Sequence, residues 1–331
     1  MNPSHRRLLN GRPLTLLARG LLIVSVAALT SRQHSALRAA QNEVDANVVY
    51  GTQAGVPLFM DVHRPQKANG YGVVLVPGNG WAGLSEPGGK PLKDYNPQVP
   101  LFMPPLVAAG YTVFVVEHRG APRFHYPSQI EDVARAVRFV RHEATRYGIN
   151  GARIGAVGYS SGANLVAMLG VRPDINHSTA ADPVDRESAR IQCVVGGGTP
   201  ADLTQPSVPD ANKMLSGYLG VDVGEYGARS AGAEALLREA SPINYVTPDD
   251  SPMLLFNGAT DLLVPASNSR SMAAALRKAG VSAQVIELSG TGHWPLNAAE
   301  VPHLLTEMIA WLDRCLAGTL QAPVKSPPRL K

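Results

Sequence analysis

The chain has 331 residues, of which 45% are hydrophobic and 17% are charged, enough for one large globular domain or two small ones. Its net charge of +4 arises in residues 1–40, which hold six arginines and no acid, leaving 24 of the 30 basic residues against all 26 acidic ones. The body of the chain therefore has no basic excess suited to nucleic acid, and no His/Cys cluster has zinc-ligand spacing, so we expect no nucleic-acid partner, no metal and no cofactor.

The basic stretch at residues 1–40 includes the apolar run LLIVSVAAL at residues 21–29. This run is shorter than the about 20 apolar residues of a membrane-spanning helix and has the length of a signal-peptide core. We therefore predict a signal peptide or basic leader and an exported protein, periplasmic or secreted, whose mature form has no stable membrane span. An uncleaved leader that anchors the protein, or a disordered basic tail, is the alternative.

Strand-like and helix-like segments alternate after the leader. PLFMDVHRP alternates apolar and polar residues as a half-exposed strand does, and the apolar runs GVVLVPG and YTVFVVE are typical of buried strands. LFMPPLVAAG indicates a short helix, and SQIEDVARAVRFVRHEATRYG a longer one, with apolar residues on a single face. Further strands are predicted at RIGAVGYS, IQCVVGGG, SPMLLFNG and AQVIELSG, and further helices at SGANLVAMLG, residues 268–279 and residues 300–316. This order predicts an α/β fold with a mostly parallel central sheet and helices on both faces.

Two segments interrupt the alternation within the single domain predicted at residues 44–317. Residues 81–100 are rich in Gly, Pro and Lys, and residues 199–240 mix Pro/Asp turns with a helical stretch. Long excursions at the loop end of a sheet are often lids or binding loops, although solvated insertions have the same composition. Residues 318–331 are predicted to be a disordered tail.

The stretch VGYSSGANL joins a predicted strand to a predicted helix, and it has glycines two residues before and two after Ser160. A strand that turns sharply into a helix presents the residue at the bend and needs small neighbours at these positions. The same pattern centred on Ser161 fails on both sides. Ser160 is therefore the candidate nucleophile and Ser161 a backbone N–H donor; a structural Gly-Ser turn is the alternative.

A serine hydroxyl needs a base and an orienting acid, and both are expected at strand ends. His293 follows the strand AQVIELSG, and Asp261 follows the strand SPMLLFNG. The order Ser160, Asp261, His293 is the order of an α/β-hydrolase triad. Singly, Asp261 also fits a surface turn and His293 a capping or core position.

The second oxyanion donor is expected in the loop VPGNGW, after an earlier strand. Glycines there allow backbone N–H groups to turn inward. The N–H of Asn79 is the leading donor, with Gly78 and Gly80 as alternates.

These stretches, together with EHRGAP, PADL, GATDLLVP and GTGHWP, resemble the α/β-hydrolase-fold serine esterases. The resemblance is to the carboxylesterase/lipase group related to hormone-sensitive lipase and bacterial acetyl esterases, and it covers residues 48–316. Where that group has His-Gly-Gly-Gly-Trp, this chain has Pro77-Gly78-Asn79-Gly80-Trp81, so it lacks a histidine that supports the loop. The group's Tyr-Arg pair is His118-Arg119 here, and Arg119 is expected to form a structural ion pair with Asp132.

The resemblance implies a serine hydrolase that cleaves carboxylic esters of small or short-acyl substrates through an acyl-enzyme intermediate. A small-substrate amidase or peptidase of the same fold is one alternative, and a catalytically silent binding protein is another.

Trp81, Tyr159 and Trp294 are predicted to border the pocket, with packing in the core as the alternative. Cys193 and Cys315 both lie in apolar contexts, which favours core thiols, although a disulfide is open to an exported protein.

Overall fold

The computed structural model describes residues 43–83, 91–174, 179–205 and 208–320. The leader predicted at residues 1–40 lies outside the described residues, as do residues 84–90 of the first predicted lid segment and residues 206 and 207 of the second. The tail predicted at residues 318–331 is described only to residue 320.

The described residues include eight strands that form one sheet, in the order β1-β2-β4-β3-β5-β6-β7-β8. The strands are β1 (Glu43–Gln53), β2 (Val56–Arg64), β3 (Gly72–Val76), β4 (Thr112–Val116), β5 (Ile154–Tyr159), β6 (Cys193–Gly197), β7 (Met253–Gly258) and β8 (Ala283–Leu288). Strands β1 and β2 pair antiparallel, as do β2 and β4, whereas every pairing among β3 to β8 is parallel.

Helices cover both faces of this sheet. They are α1 (Gln98–Ala108), α2 (Ser128–His142), α3 (Ser161–Val171), α4 (Pro209–Leu219), α5 (Ala231–Glu239), α6 (Ser267–Lys278) and α7 (Val301–Leu316). Short 3₁₀ turns lie at Leu92–Asp94, Pro183–Arg186 and Pro242–Tyr245. Helices α1 and α7 pack on one face, and α2, α3 and α6 pack on the other. The mostly parallel sheet with helices on both faces confirms the predicted fold class.

The sequence patterns account for most of these strands. In β2, Leu58, Met60 and Val62 are buried while the residues between them are half-exposed, as the alternation predicts. Strands β3 to β7 are buried throughout, which is why their sequences are continuous apolar runs.

Four elements differ from the sequence prediction. Helix α2 ends at His142, before the end of the predicted stretch at residue 148, and helix α4 was not expected. Strand β1 was not expected, because EVDANVVYGTQ has no clear alternation; it is an edge strand that is mostly exposed and pairs only with β2. Helix α1 begins at Gln98, before the predicted stretch, and carries Pro104 and Pro105 within it. This earlier start brings Gln98 into the first helical turn, next to the end of β3.

The carboxyl ends of β3, β5, β7 and β8 lie at the same edge of the sheet, because these strands are parallel. Each of the predicted functional residues follows one of these strands. The topology therefore gathers them at the edge where open α/β sheets bind their ligands.

Candidate active site

Ser160 occupies the bend between β5, which ends at Tyr159, and α3, which begins at Ser161. Its backbone has φ 55° and ψ −125°, a positive φ that costs a non-glycine residue on the order of 1–3 kcal/mol. The main chain is held on both sides of the bend. The Ser160 N–H donates to the Gly197 carbonyl at 2.7 Å, and the Ser160 carbonyl accepts from the Asn164 N–H at 3.0 Å.

The two flanking glycines allow the chain to pass itself at this bend. A Cβ atom on Gly158 would lie 2.5 Å from the Gly162 carbonyl oxygen, and one on Gly162 would lie 2.1 Å from the Val76 carbonyl oxygen. Both distances are far below van der Waals contact with backbone atoms. The spacing that singled out Ser160 in the sequence thus has a steric cause in the fold.

His293 lies in the loop after β8, with its ring between Ser160 and Asp261. Its Nε2 is 2.8 Å from Ser160 Oγ, and its Nδ1 is 2.7 Å from Asp261 Oδ2. The Tyr159 hydroxyl donates to the His293 carbonyl and so ties the histidine loop to the residue before the bend. The imidazole is therefore held at both ring nitrogens and through its backbone.

Asp261 follows β7, and its side chain is fully buried. Its Oδ1 accepts hydrogen bonds from the Leu263 N–H at 2.9 Å and the Val264 N–H at 2.8 Å. These amides satisfy one carboxylate oxygen and turn the other toward His293. The three side chains predicted as a triad consequently form one hydrogen-bonded row, in which Ser160 can pass a proton to a histidine oriented by a carboxylate.

The loop Pro77–Trp81 lies directly against this row. A Cβ atom on Gly78 would come 2.0 Å from the Tyr159 carbonyl oxygen and 2.9 Å from Ser160 Cβ. Gly80 and Trp81 both have positive φ, at 61° and 58°. The loop after β3 therefore lies in contact with the bend at Ser160.

The four predicted amide donors are not equivalent in the structure. The Gly78 N–H donates to Gln98 Oε1 at 2.7 Å, and the Asn79 N–H donates to Ser161 Oγ at 3.0 Å. Among the described residues, no acceptor binds the N–H groups of Gly80 and Ser161. Ser161 is the first residue of α3, where N–H groups lack intrahelical partners and the helix dipole favours negative charge.

A small cavity of about 60 Å³ opens beside Ser160. Its wall includes Gly80 and Trp81, together with Met214 and Leu215 from α4 and Leu263 from the loop after β7. Helix α4 belongs to the segment 199–240, for which the sequence allows a lid, a binding loop or a solvated insertion, and its side chains line this cavity. Trp81 also stacks on Tyr218, with ring centroids 4.3 Å apart, and its Nε1 donates to Asn164 Oδ1 at 3.1 Å.

Tyr159 and Trp294 differ from their predicted position at the pocket. They are not among the residues that line the cavity. Tyr159 is buried beneath His293, and Trp294 packs edge-on against it with ring centroids 5.2 Å apart. The physical reason is the alternation along β5: Tyr159 shares with Val157 the face of the sheet on which α1 and α7 pack, whereas Ala156 lies on the other face.

A larger groove of about 430 Å³ lies along α2 and the end of α3. Its lining includes Ile130, Arg138 and Leu169 but none of the triad residues. Ser160 is not among the residues that line this groove, whereas it does line the smaller cavity.

Several polar residues at the site were missed from the sequence. Asn96 and Gln98 contact the Gly78 carbonyl, and Asn164 contacts Trp81. These amides stand in no motif, and only the fold brings them to the loop. Within the described ranges, no group of three or more His, Cys, Asp or Glu side chains could hold a metal ion, and no helix is long and apolar enough to cross a membrane.

The fold and the hydrogen-bonded row of three side chains together indicate the class of protein to which the chain belongs. The chain has the α/β-hydrolase fold, with a serine, an aspartate and a histidine in the order and geometry of a serine hydrolase. The model of the family BD-FAE matches residues 60–276, and the chain belongs to this family.

Comparisons with individual proteins agree with this placement. Esterase LipQ of Mycobacterium tuberculosis (strain ATCC 25618 / H37Rv) is 27% identical over 240 residues, which are 72% of this chain and 53% of LipQ. A truncated form of carbohydrate esterase from gut microbiota superposes with a TM-score of 0.68 at 22% identity, covering 83% of this chain and 96% of that one. An acetyl ester-xyloside bifunctional hydrolase from Caldicellulosiruptor lactoaceticus has a TM-score of 0.65 at 22% identity, covering 83% and 97%.

The chain spans about half the length of the curated relatives it matches. The likeness to the solved structures confirms the α/β-hydrolase fold. The family match confirms the resemblance to esterases of this fold that was inferred from the sequence motifs.

Proposed function

We propose that this protein is a serine hydrolase that cleaves carboxylic esters of small or short-acyl substrates. The observation that carries the proposal is the row Ser160–His293–Asp261, with contacts of 2.8 and 2.7 Å at a strained bend. The names of the relatives support the same reaction class: two are called esterases, and the third is called an acetyl ester-xyloside bifunctional hydrolase.

In the first half of the reaction, Ser160 Oγ attacks the ester carbonyl carbon while its proton passes to His293 Nε2. Asp261 accepts the Nδ1–H bond and stabilises the imidazolium. The carbonyl oxygen becomes an oxyanion, held by the N–H groups of Ser161 and Gly80. The tetrahedral species then collapses, and the alcohol leaves with the proton from Nε2.

In the second half, water attacks the acyl–Ser160 ester while His293 takes one of its protons. The same amides hold the second oxyanion. The carboxylic acid leaves as Ser160 regains its proton, which returns the site to its starting state.

The acyl group would occupy the cavity beside Ser160. Its volume of about 60 Å³ and the apolar side chains Trp81, Met214, Leu215 and Leu263 favour a short apolar acyl chain over a long one. A small acyl group with an alcohol part that extends toward solvent fits this arrangement.

The test is hydrolysis of p-nitrophenyl esters of increasing acyl length, together with labelling by a fluorophosphonate probe. Ser160→Ala should lower kcat by about 10⁴-fold or more and abolish labelling, because the attacking oxygen is gone. Ser161→Ala is the matched control: it keeps the Ser160 hydroxyl and the amide at residue 161 and removes only the acceptor of the Asn79 N–H, so labelling should persist. A wild-type protein that is neither labelled nor active on esters would overturn the proposal, and faster turnover of matched anilides would favour an amidase.

We also propose that the protein is exported. The basic stretch and the apolar run at residues 21–29 support this. Residues 1–40 fused to a phosphatase that is active only after export should give activity, and replacing Ile23 and Val26 with aspartate should abolish it. Equal activity from both fusions would contradict export by this segment.

A further inference from the structure

The peptide groups around Gly78 are held by two side-chain amides from the segment that leads into α1. The Gly78 N–H donates to Gln98 Oε1 at 2.7 Å, and Gln98 Nε2 donates to the Gly78 carbonyl at 3.2 Å. Asn96 Nδ2 donates to the same carbonyl at 2.9 Å, and the Gln98 N–H donates to Asn96 Oδ1 at 2.9 Å. One side chain, Gln98, therefore bonds both the donor and the acceptor of a single residue of the loop.

Water has little access to these hydrogen bonds, so they hold the two side-chain amides in a fixed orientation. Gln98 is 7% exposed and Asn96 is 6% exposed, so water competes little for these bonds. An amide whose oxygen and nitrogen are both engaged has one orientation that satisfies both ends. The side chain of Gln98 consequently fixes the peptide groups on either side of the Gly78 Cα atom.

The orientation of Gly78 is passed to the next residue. In a trans peptide the C=O and the following N–H point in opposite directions. With the Gly78 carbonyl held by Gln98 and Asn96, the Asn79 N–H must point the other way, and it does so, donating to Ser161 Oγ at 3.0 Å. The Gly80 N–H, which has no protein acceptor among the described residues, belongs to the next peptide, whose carbonyl, that of Asn79, accepts from the Ala82 N–H at 3.1 Å.

The loop has little tolerance for displacement. Gly78 is so close to the bend that a Cβ there would overlap the Tyr159 carbonyl oxygen at 2.0 Å. Misplacing a catalytic group by about 1 Å can cost on the order of 100-fold in rate. Gly78 and Ser160 are thus in direct contact. Glycine at positions 78 and 80 provides no side chain that could hold the loop in place.

We propose that Gln98 is a positioning residue for oxyanion stabilisation: its buried amide holds Gly78 so that the Gly80 N–H faces the carbonyl that Ser160 attacks. The proposal rests on the proposed esterase function. A merely structural role for Gln98, as part of the first turn of α1, would lower stability without a selective effect on turnover.

The test is the kinetics of Gln98→Leu on a short p-nitrophenyl ester, with thermal unfolding measured in parallel. Removal of one oxyanion donor costs about 10²–10³-fold in kcat, and a donor that is present but less well placed should cost less. We expect kcat to fall by about 10- to 100-fold while KM changes by less than about threefold, since the lost interaction belongs to the transition state.

Gln129→Leu is the matched control. Gln129 is also a buried glutamine near the start of a helix, and its Nε2 donates to the Phe124 carbonyl at 2.7 Å, away from the loop. This variant should lose stability but keep kcat within about threefold of wild type. A folded Gln98→Leu protein with wild-type kcat, or an equal kcat loss in Gln129→Leu, would overturn the proposal.

Gln98→Glu gives a second readout, decisive also if Gln98→Leu does not fold. A carboxylate keeps an acceptor for the Gly78 N–H but loses the donor to the Gly78 carbonyl, so kcat should fall, with KM again little changed. Unchanged kcat would contradict the proposal. Activity of the wild-type protein separates the two ideas: an inactive wild type defeats the esterase function itself, whereas an active wild type with active Gln98 variants defeats only this inference.

Discussion

Ser160 is held at a backbone angle that few side chains adopt, and its neighbours make this possible. The positive φ at Ser160 is imposed by β5 on one side and α3 on the other, with backbone hydrogen bonds to Gly197 and Asn164. Gly158 and Gly162 contribute by having no Cβ at the two points where backbone meets backbone. Steric constraints on the backbone thus place Ser160, and its hydroxyl lies 2.8 Å from His293 Nε2.

The variant Gly162→Ala tests whether the absence of a Cβ atom at this position is required for the bend. The added Cβ would meet the Val76 carbonyl oxygen at 2.1 Å, so β3 and α3 would have to separate, which should destabilise the protein by about 1–3 kcal/mol or more. Activity should fall as well, because the loop Pro77–Trp81, the proposed source of an oxyanion donor, follows Val76. Urea unfolding monitored by circular dichroism measures the change.

Gly232→Ala provides the comparison for that substitution. Gly232 lies in the exposed part of α5, and a Cβ there would meet no atom within 4 Å. Alanine is a better helix former than glycine, so this variant should gain up to about 1 kcal/mol. If Gly162→Ala were as stable as Gly232→Ala, the steric explanation would be wrong.

Between elements, the loop after β4 is joined to α2 by a buried ion pair. Arg119 Nη2 is 2.7 Å from Asp132 Oδ1, and the Arg119 Nε and backbone N–H also donate to this carboxylate. The Asp132 side chain is fully buried. The ion pair predicted from the sequence is present, and it links a strand at the centre of the sheet to the helix packed on it.

Asp132→Ala should be strongly destabilising, because it leaves the Arg119 charge buried without its partner. Breaking a buried pair in this way typically costs about 3–5 kcal/mol. Arg270→Ala is the control, since the pair Arg270–Glu287 is exposed and should contribute less than about 1 kcal/mol. The free energies of unfolding of the two variants check this, and similar losses would refute the buried-pair explanation.

The elements also show where pattern reading works and where it does not. Strand β2 follows its alternation, because one of its faces is buried and the other is not. Strand β1 escapes detection because an exposed edge strand needs no apolar side, and its pairing with β2 depends on backbone hydrogen bonds that leave no mark in the sequence. The early start of α1 is likewise invisible, because Gln98 is buried by contact with a loop 20 residues earlier.

On the scale of the whole molecule, β6 and α7 bring both cysteines of the chain into the interior. Cys193 and Cys315 are free thiols and both are buried, which decides between the two possibilities that the sequence left open. Burial, together with a hydrogen bond to Cys315, raises the pKa of the Cys193 thiol, and Cys315 Sγ donates to the Gln192 carbonyl at 3.1 Å. Neither thiol is placed for rapid reaction.

We therefore expect no reaction of the native protein with a thiol reagent such as Ellman's reagent, and two reactive thiols after unfolding in denaturant without reductant. The thermal midpoint should not respond to a reducing agent. Two thiols that react at once in the native state would contradict their burial, and none after unfolding would reveal a disulfide.

The sequence by itself determined the fold class and the identities of Ser160, Asp261 and His293 as candidates. The periodicities of strands and helices depend on which faces are buried, and they therefore appear in the local sequence. The glycine spacing around Ser160 and the order of the three residues are properties of the sequence itself. The predicted leader at residues 1–40 is a local pattern of the same kind and stays a prediction.

Only the tertiary structure decided how the loop Pro77–Trp81 is held and which residues line the cavity beside Ser160. These arrangements join residues that are far apart in the chain. Gln98 contacts Gly78, Asn79 contacts Ser161, and Met214 lines the same cavity as Ser160. Tyr159 lies outside the cavity because the alternation along β5 places it on the face of the sheet that α1 and α7 cover. Hydrogen bonds and packing between distant segments carry no periodicity, so they exist only once the sheet has brought those segments together.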